Sequence, residues 1–394
     1  MNPINRGVAI TPAENISLSS QPLRIVLKQG KLPKAISKAM QLRRASAQAL
    51  AYSNTIRWTE DEQARMAFTD ATTEAWCAAR VESVMSKVVR SDKSVILKVK
   101  AAGGGERWIW TPLGREFVDL LGPAGGFGSV KQEFAQHAFN PLIDLFWKHA
   151  KALPSRNQIV LDIDAKAIKA CVAAIRKEAS TPMFRKRRSK HLKHVRRNTE
   201  SLLNYIDELF ERWGTLLVIR LDIGYRREFQ GPETGAVNLS YTQVREHREK
   251  FMDYVRSKAF PGLLRGFAWS LEMGRTSSFH HHMLLFIDGS ESRKDVLLAR
   301  MLGEHWQNVI TDKQGRYYNC NADHHDRSGV GMIRHWNSEK LTNLKEVVAP
   351  YLTKADYLIR TVVEDGKTFS HGRVPPATTR SGRPRERGTD LGDN

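Results

Sequence analysis

The chain has 394 residues, and lysine plus arginine outnumber aspartate plus glutamate by 62 to 42. That length accommodates two or three domains with a sizeable core, and a pI near 9.9 makes a polyanion, nucleic acid first, the expected partner. Three scattered cysteines, Cys77, Cys171 and Cys320, exclude a zinc ribbon or disulfide framework and suit a reducing cytoplasm, while no apolar run approaches the ~18 residues of a membrane span.

In chain order, residues 1–29 are polar and aperiodic and are expected to form a flexible arm. Residues 30–156 read as a mainly helical region. A helical signal runs from Pro33 to Leu50, and Thr59 with Glu62 has the spacing of a capping box for a second helix towards Val89. Val95–Val99 and Arg107–Trp110 are strand candidates around a glycine-rich loop, and Ser129 with Gln132 predicts a helix reaching about Ala150. The glycines between Gly122 and Gly128 lack the Lys and Ser/Thr of a phosphate-binding loop, so no ATPase is expected.

Residues 157–213 form a basic helical segment whose densest part, Phe184 to Arg197, reads FRKRRSKHLKHVRR. Arg185, Lys186, Arg187, Arg188, Lys190, Lys193, Arg196 and Arg197 are therefore candidates to hold a DNA backbone without reading its sequence.

From residue 214 the signal changes. Thr215 to Asp222 is a buried strand, Ser240 and Gln243 cap a helix, and Arg265–Met273 pairs with Phe279–Ile287 as a hairpin. A helix follows from about Lys294 to Ile310 with Leu297, Leu298, Met301, Leu302 and Val309 on its core side. Gly331–Trp336 is a further strand, and a last helix runs from about Ala349 to Val362. This order predicts an α+β domain over 214–362 of the ferredoxin-like (split βαβ) kind, an antiparallel sheet with one face under helices and the other open for a site. Residues 363–394, with Pro375, Pro376 and RSGRPRER, read as a disordered basic tail that adds DNA affinity.

The chemistry concentrates in the predicted hairpin. Strand alternation sends His280 and His282 to one side and His281 to the other, and pairing brings Glu272 near the histidines. Two imidazoles and a carboxylate make a site suited to Mg²⁺ or Mn²⁺. A second cluster, Asp323-His324-His325-Asp326, is similar to the motif of DHH-type phosphoesterases. It sits in a Gly- and Asn-flanked loop without that family's other carboxylates and reads as a surface loop. In the last helix Pro350 suits a first turn, placing Tyr351 near a helix N-terminus that favours phosphate, with Lys354 on the same face. Tyr357 lies about 240° further round and reads as packing.

Taken together, RLDIGYR (Arg220–Arg226), WSLEMG (Trp269–Gly274), FHHHMLLFIDG (Phe279–Gly289) and YLTKAD (Tyr351–Asp356) resemble the HUH endonucleases. The closest type is the replication initiators of filamentous phages and prophages, the inovirus gene II and YagK/YfjJ C-terminal type. The resemblance covers about Asn157 to Val362 and departs from the family in having His281, not an apolar residue, between the two histidines. A register in which His281 joins the site therefore stays open. It implies a divalent metal on Glu272, His280 and His282, and Tyr351 as the nucleophile, assisted by Lys354. The implied activity is single-strand nicking and joining of origin DNA through a 5′-phosphotyrosine link, starting rolling-circle replication in the cytoplasm of a bacterial host with its helicase and polymerase. A noncatalytic DNA-binding repressor on the same fold, or an HUH relaxase or transposase, is the alternative.

Overall fold

A computed structural model describes residues 42–48, 56–61, 63–67, 70–100, 103–122, 137–226, 239–274, 278–323, 328–353, 355–363 and 366–374. The expected N-terminal arm and the RSGRPRER stretch lie outside the described residues.

The N-terminal unit comprises α1 (42–48), β1 (Ile56–Glu60), β2 (Gln63–Ala67), α2 (Asp70–Arg90), β3 (Ile96–Lys100), β4 (Glu106–Trp110), α3 (Pro112–Asp119), β5 (His137–Phe139), α4 (Pro141–Ala150), α5 (Leu161–Ala179) and α6 (Pro182–Arg212). Two expectations are corrected here. Thr59 starts no helix: Ile56–Glu60 and Gln63–Ala67 pair as an antiparallel hairpin, with Trp58 opposite Arg65. Asp61 at the turn has φ 47°, a left-handed conformation that Asp tolerates better than most residues. The described helix ending at Ala150 begins at Pro141 rather than near Ser129. Asn140 Oδ1 accepts from the Leu142 N–H, and Pro141 takes the first position, where its missing donor is harmless.

The core of this unit is formed by α2, α4 and α5, through Val81, Met85, Leu142, Leu145, Ile168 and Ile175. It also takes in Tyr357, Leu358 and Ile359 from the far end of the chain. Ile359–Thr361 pairs with β5, and the Tyr357 hydroxyl donates to Glu82 Oε1 at 2.8 Å, while Arg43 pairs with the other oxygen. Residues 214–362 therefore do not close on themselves, because their last turn belongs to the N-terminal core. Tyr357→Phe removes a buried hydrogen bond to a charged acceptor and is expected to lower stability by about 1.5–3 kcal/mol. Urea unfolding checks this, and an unchanged midpoint would refute the tether.

The remainder is β6 (Thr215–Tyr225), α7 (Tyr241–Tyr254), β7 (Leu264–Gly274), β8 (Ser278–Asp288), α8 (Asp295–His305), β9 (Gly315–Asn319), β10 (Gly331–Arg334), α9 (Ser338–Asn343), α10 (Ala349–Thr353), β11 (Ile359–Thr361) and β12 (Phe369–His371). The antiparallel sheet runs β10-β6-β8-β7-β12, and β9 shares the β10 edge of β6. β10 lies against Thr215–Val218 and β9 against Leu221–Tyr225, so one edge position is filled by two short strands. β9 was not anticipated, and β12 orders part of the segment expected to be a disordered tail by pairing with Ala268–Ser270.

Both sheet faces are covered, where only one was expected to be. On one, α7 and α8 bury Val244, Phe251, Leu302 and Trp306 against Leu217, Ile219, Leu221, Leu285 and Ile287. Leu297 and Val309, expected inside, are 44% and 62% exposed. Val309 sits in the π turn Trp306–Ile310, whose extra residue per turn changes which side meets the sheet, while Leu297 is on the side of α8 opposite the buried Ala299, Leu302 and Trp306. On the other face, the C-terminal half of α6 (Leu202, Ile206, Leu209) and the α9–α10 helix (Leu344, Val348, Leu352) cover Leu216, Val218, Leu284 and Phe286. Strands buried on both sides read as nearly continuous apolar runs, which is how LLVI and MLLFI look in the sequence.

Candidate metal centre and its surroundings

The open end of that second face carries the site. Register puts Glu272 opposite His280 and Asp222 opposite His282, so three neighbouring strands contribute to one patch. Glu272, His280 and His282 have ligand atoms all within 4.8 Å of one another, a group that can hold a metal ion. Glu272 Oε2 is 3.7 Å from His280 Nε2 and 3.5 Å from His282 Nε2, and it is buried without a hydrogen bond. A carboxylate oxygen in that condition, flanked by two imidazole nitrogens, fits a cation between them. His281 lies on the opposite face, fully buried and edge-on to Trp269 at 5.8 Å, so it is outside the cluster. Burial, with Arg248 nearby, pushes its pKa well down.

Asp222 supplies what sequence reasoning missed. Its Oδ1 is 2.7 Å from His282 Nδ1, a bond that orients the ring so that Nε2 faces Glu272. Burial opposes a charge on His282, but Asp222 and Glu272 raise its pKa to about 9. Burial likewise opposes ionisation of Glu272, yet His282 and His280 bring it down to about 2. In the metal-free protein the stabilisation from His282 is complete below its unfolded value of 6.5 and is lost as pH rises through 9. That from Glu272 is complete above 4.5 and is lost as pH falls through 2. A bound cation must displace the His282 proton, so Mn²⁺ is expected to raise Tm more at pH 9 than at pH 6. A thermal shift independent of pH would contradict this. Asp222→Asn should weaken Mn²⁺ binding by about 10–100-fold in calorimetry.

Gly224 stands beside His280, and a Cβ there would come within 3.0 Å of the His280 Cβ. The close approach of β6 to the histidine strand therefore requires glycine at this position of RLDIGYR.

Tyr351 is on the same face as the histidines, half-buried against the α6 and α9–α10 core. The Arg220 guanidinium lies 4.5 Å from its ring centroid, and Arg220 Nη2 is 3.6 Å from Asp222 Oδ2. Two side chains thus connect the phenol to His282. The expectation about the helix end is corrected. The helix carrying Tyr351 starts at Ser338, capped by Asn337, and Tyr351 falls two residues before the helix's described end at Thr353, not in its first turn. Pro350 is accommodated because a π turn, Leu344–Val348, widens the backbone just before a residue that lacks an N–H and crowds the preceding turn. Lys354 lies outside the described residues. So do His324, His325 and Asp326, while Asp323 accepts a hydrogen bond from the Tyr318 hydroxyl at 2.7 Å.

Further charges surround the patch. Burial lowers the Arg316 pKa to about 10, opposed by Asp222. Asp356 pairs with His194 at 3.5 Å, and burial raises its pKa, with Glu272 adding to the rise. His137 Nε2 meets the Met273 carbonyl at 2.8 Å, so β5 of the N-terminal unit borders the cluster. The alternation of Arg220, Asp222 and Gly224 along β6 was a signal for Arg220 and Asp222. The others come from distant segments and left none.

The basic run lies on α6, a single 31-residue helix whose first half packs in the N-terminal core and whose second half packs on the sheet. Arg185, Lys186, Arg187, Lys190, Lys193, Arg196 and Arg197 are exposed. Arg187 pairs with Asp144 at 3.1 Å and Arg196 with Glu200 at 3.4 Å. Arg188 is half-buried and its charge acts on Tyr357, as His191 does by meeting the Tyr357 carbonyl at 2.9 Å. Lys186, Lys190, Lys193 and Arg197, at steps of four, three and four, form one solvent-facing stripe.

No family model, curated protein or solved structure matches the chain. No helix among the described residues is long and apolar enough to cross a membrane.

Proposed function

We propose that the protein is a metal-dependent, single-strand DNA nicking and joining enzyme of the HUH kind, acting at a replication origin on a ferredoxin-like β6-α7-β7-β8-α8-β9 framework. The observation that carries the reading is the convergence on one sheet face of the Glu272, His280 and His282 group and the Tyr351 phenol. Glu272, His280 and His282 would hold a divalent cation, Mg²⁺ or Mn²⁺, which when bound would supply Lewis-acid chemistry to the phosphodiester.

The chain's own residues do the rest. The Tyr351 oxygen attacks the scissile phosphorus in line and gives its proton to solvent, the P–O3′ bond breaks, and the leaving 3′-oxygen takes a proton from solvent, giving a 5′-phosphotyrosine and a 3′-hydroxyl. Arg220, lying over the ring, holds the Tyr351 side chain in place through a cation–π contact. Asp222 holds both Arg220 and His282, so one carboxylate fixes the nucleophile's partner and a metal ligand together. Reversal of the same exchange rejoins the strand. The α6 stripe gives sequence-independent phosphate contacts along the incoming DNA.

The experiment is incubation of the full chain with Mn²⁺ and a random-sequence pool of single-stranded oligonucleotides, followed by mass spectrometry of crosslinked peptides. A DNA adduct on the peptide containing Tyr351 is expected. An adduct on another residue, or metal-loaded protein that captures no DNA, would sink the reading.

A further inference from the structure

The β9 edge of the sheet holds a feature that the nicking chemistry does not use. A cavity of about 560 Å³ opens between the β1–β2 hairpin, the end of β6, β9 and the π turn after α8. That is ample for one nucleotide and falls within the usual range of ligand sites. Trp58 from the hairpin, Tyr317 from β9, and Arg226 and Arg316 contribute to its walls, with Glu60 and Glu304 also at its lining.

Each group is held in place. Thr59 Oγ1 accepts from the Asn319 N–H at 3.1 Å, fastening the hairpin to β9. The Trp58 indole N–H donates to Glu60 Oε2 at 3.3 Å. Arg226 and Arg316 give their Nε–H groups to the carbonyls of Gly315 and Tyr225, at 3.3 and 2.9 Å, which orients both guanidinium groups.

The strand register relates the cavity to the candidate metal centre. Arg316 pairs with Gly224, which pairs with His280, so the guanidinium and the imidazole share a sheet face two strand spacings apart, about 10 Å. Asp222 also lies within electrostatic reach of Arg316. A strand whose phosphate reaches His280 therefore passes Arg316 on its way over the β9 edge.

We infer that this cavity is a subsite for one unpaired nucleotide of the DNA strand, its base stacked on Trp58 and its phosphate held by Arg226 and Arg316. This rests on the reading of the protein as a single-strand DNA enzyme. An aromatic face beside guanidinium groups is the chemistry that binds single strands with little sequence preference. Glu60 and Glu304 repel phosphate and can accept from base amino groups, so the phosphate is drawn to Arg226 and Arg316. The subsite brings in the N-terminal hairpin, which gives that unit a part in holding DNA.

The test uses the full chain without metal, so that no covalent step intervenes, and a single-stranded deoxyadenylate oligomer of about 12 nucleotides carrying one 2-aminopurine. Binding to the unaltered protein should quench the 2-aminopurine. Trp58→Ala should lose the quenching and bind about tenfold more weakly, and Trp58→Phe should restore most of both. Arg226→Ala, a change on β6 that leaves the hairpin intact, should lower the salt dependence of binding by about 0.7 in log–log slope. Unchanged affinity and quenching in Trp58→Ala together with an unchanged slope in Arg226→Ala would overturn the inference. So would dAMP alone binding as tightly as the oligomer, which would mark a free-nucleotide site. Adduct formation with Mn²⁺ is scored on the same preparations. Trp58-dependent quenching without any adduct would sink the nicking reading and leave the subsite standing.

Discussion

Tyr351→Phe is expected to reduce covalent capture of single-stranded DNA by at least about a thousandfold while noncovalent binding changes little. The asymmetry follows from where the ring sits. Phenylalanine keeps the half-buried packing against α6 and the ring face under Arg220, and loses only the oxygen that attacks. Tyr357→Phe supplies the contrast. That hydroxyl is committed to Glu82 inside the N-terminal core, so its loss should weaken the fold and leave the adduct at Tyr351. Denaturing gels of labelled oligonucleotide read the first effect. An adduct of normal yield in Tyr351→Phe would transfer the nucleophile elsewhere.

His282→Ala should eliminate Mn²⁺-dependent nicking, a loss of about three orders of magnitude or more, and His280→Ala should do the same. The two variants differ in what they leave behind. Without His282, Asp222 loses its 2.7 Å partner and Glu272 the imidazole that most stabilises its charge, so two carboxylates remain in a nearly dry patch. His282→Ala is therefore also expected to lower stability, by about 3–5 kcal/mol if neither carboxylate rearranges. Calorimetry with Mn²⁺ separates loss of the ligand from loss of the fold. Full Mn²⁺-dependent nicking in either variant would remove these histidines from the proposed mechanism.

Particular residues show how far the sequence reached. Period-two alternation put His280 and His282 on one face, and the turn-like Gly274–Ser278 stretch was enough to pair that strand with the one carrying Glu272. The Ser240–Gln243 capping box stands as read, with both reciprocal bonds formed. The failures share a cause. Thr59 and Glu62 have capping spacing in the sequence, but spacing is a local signal, and the strand that contains Thr59 is held by β9, some 260 residues away. Val309 fits a regular helix and was turned outward by a π turn, which leaves no mark in hydrophobic periodicity. Pro350 looked like a helix start for the same reason, because only the π turn before it lets a proline continue a helix.

The amino-acid sequence by itself determined the basic character of the protein, the central strands β6, β7 and β8 of its sheet and the histidines and carboxylate that share one face, because charge and strand alternation are properties of neighbouring residues. Tertiary structure alone decided that Asp222 orients His282, that Arg220 lies over Tyr351, that Tyr357 is anchored to Glu82, and that an N-terminal hairpin walls a cavity at the β9 edge. Those contacts join segments far apart in the chain. Which of them form depends on how the two cores pack around α6, and no local pattern encodes that.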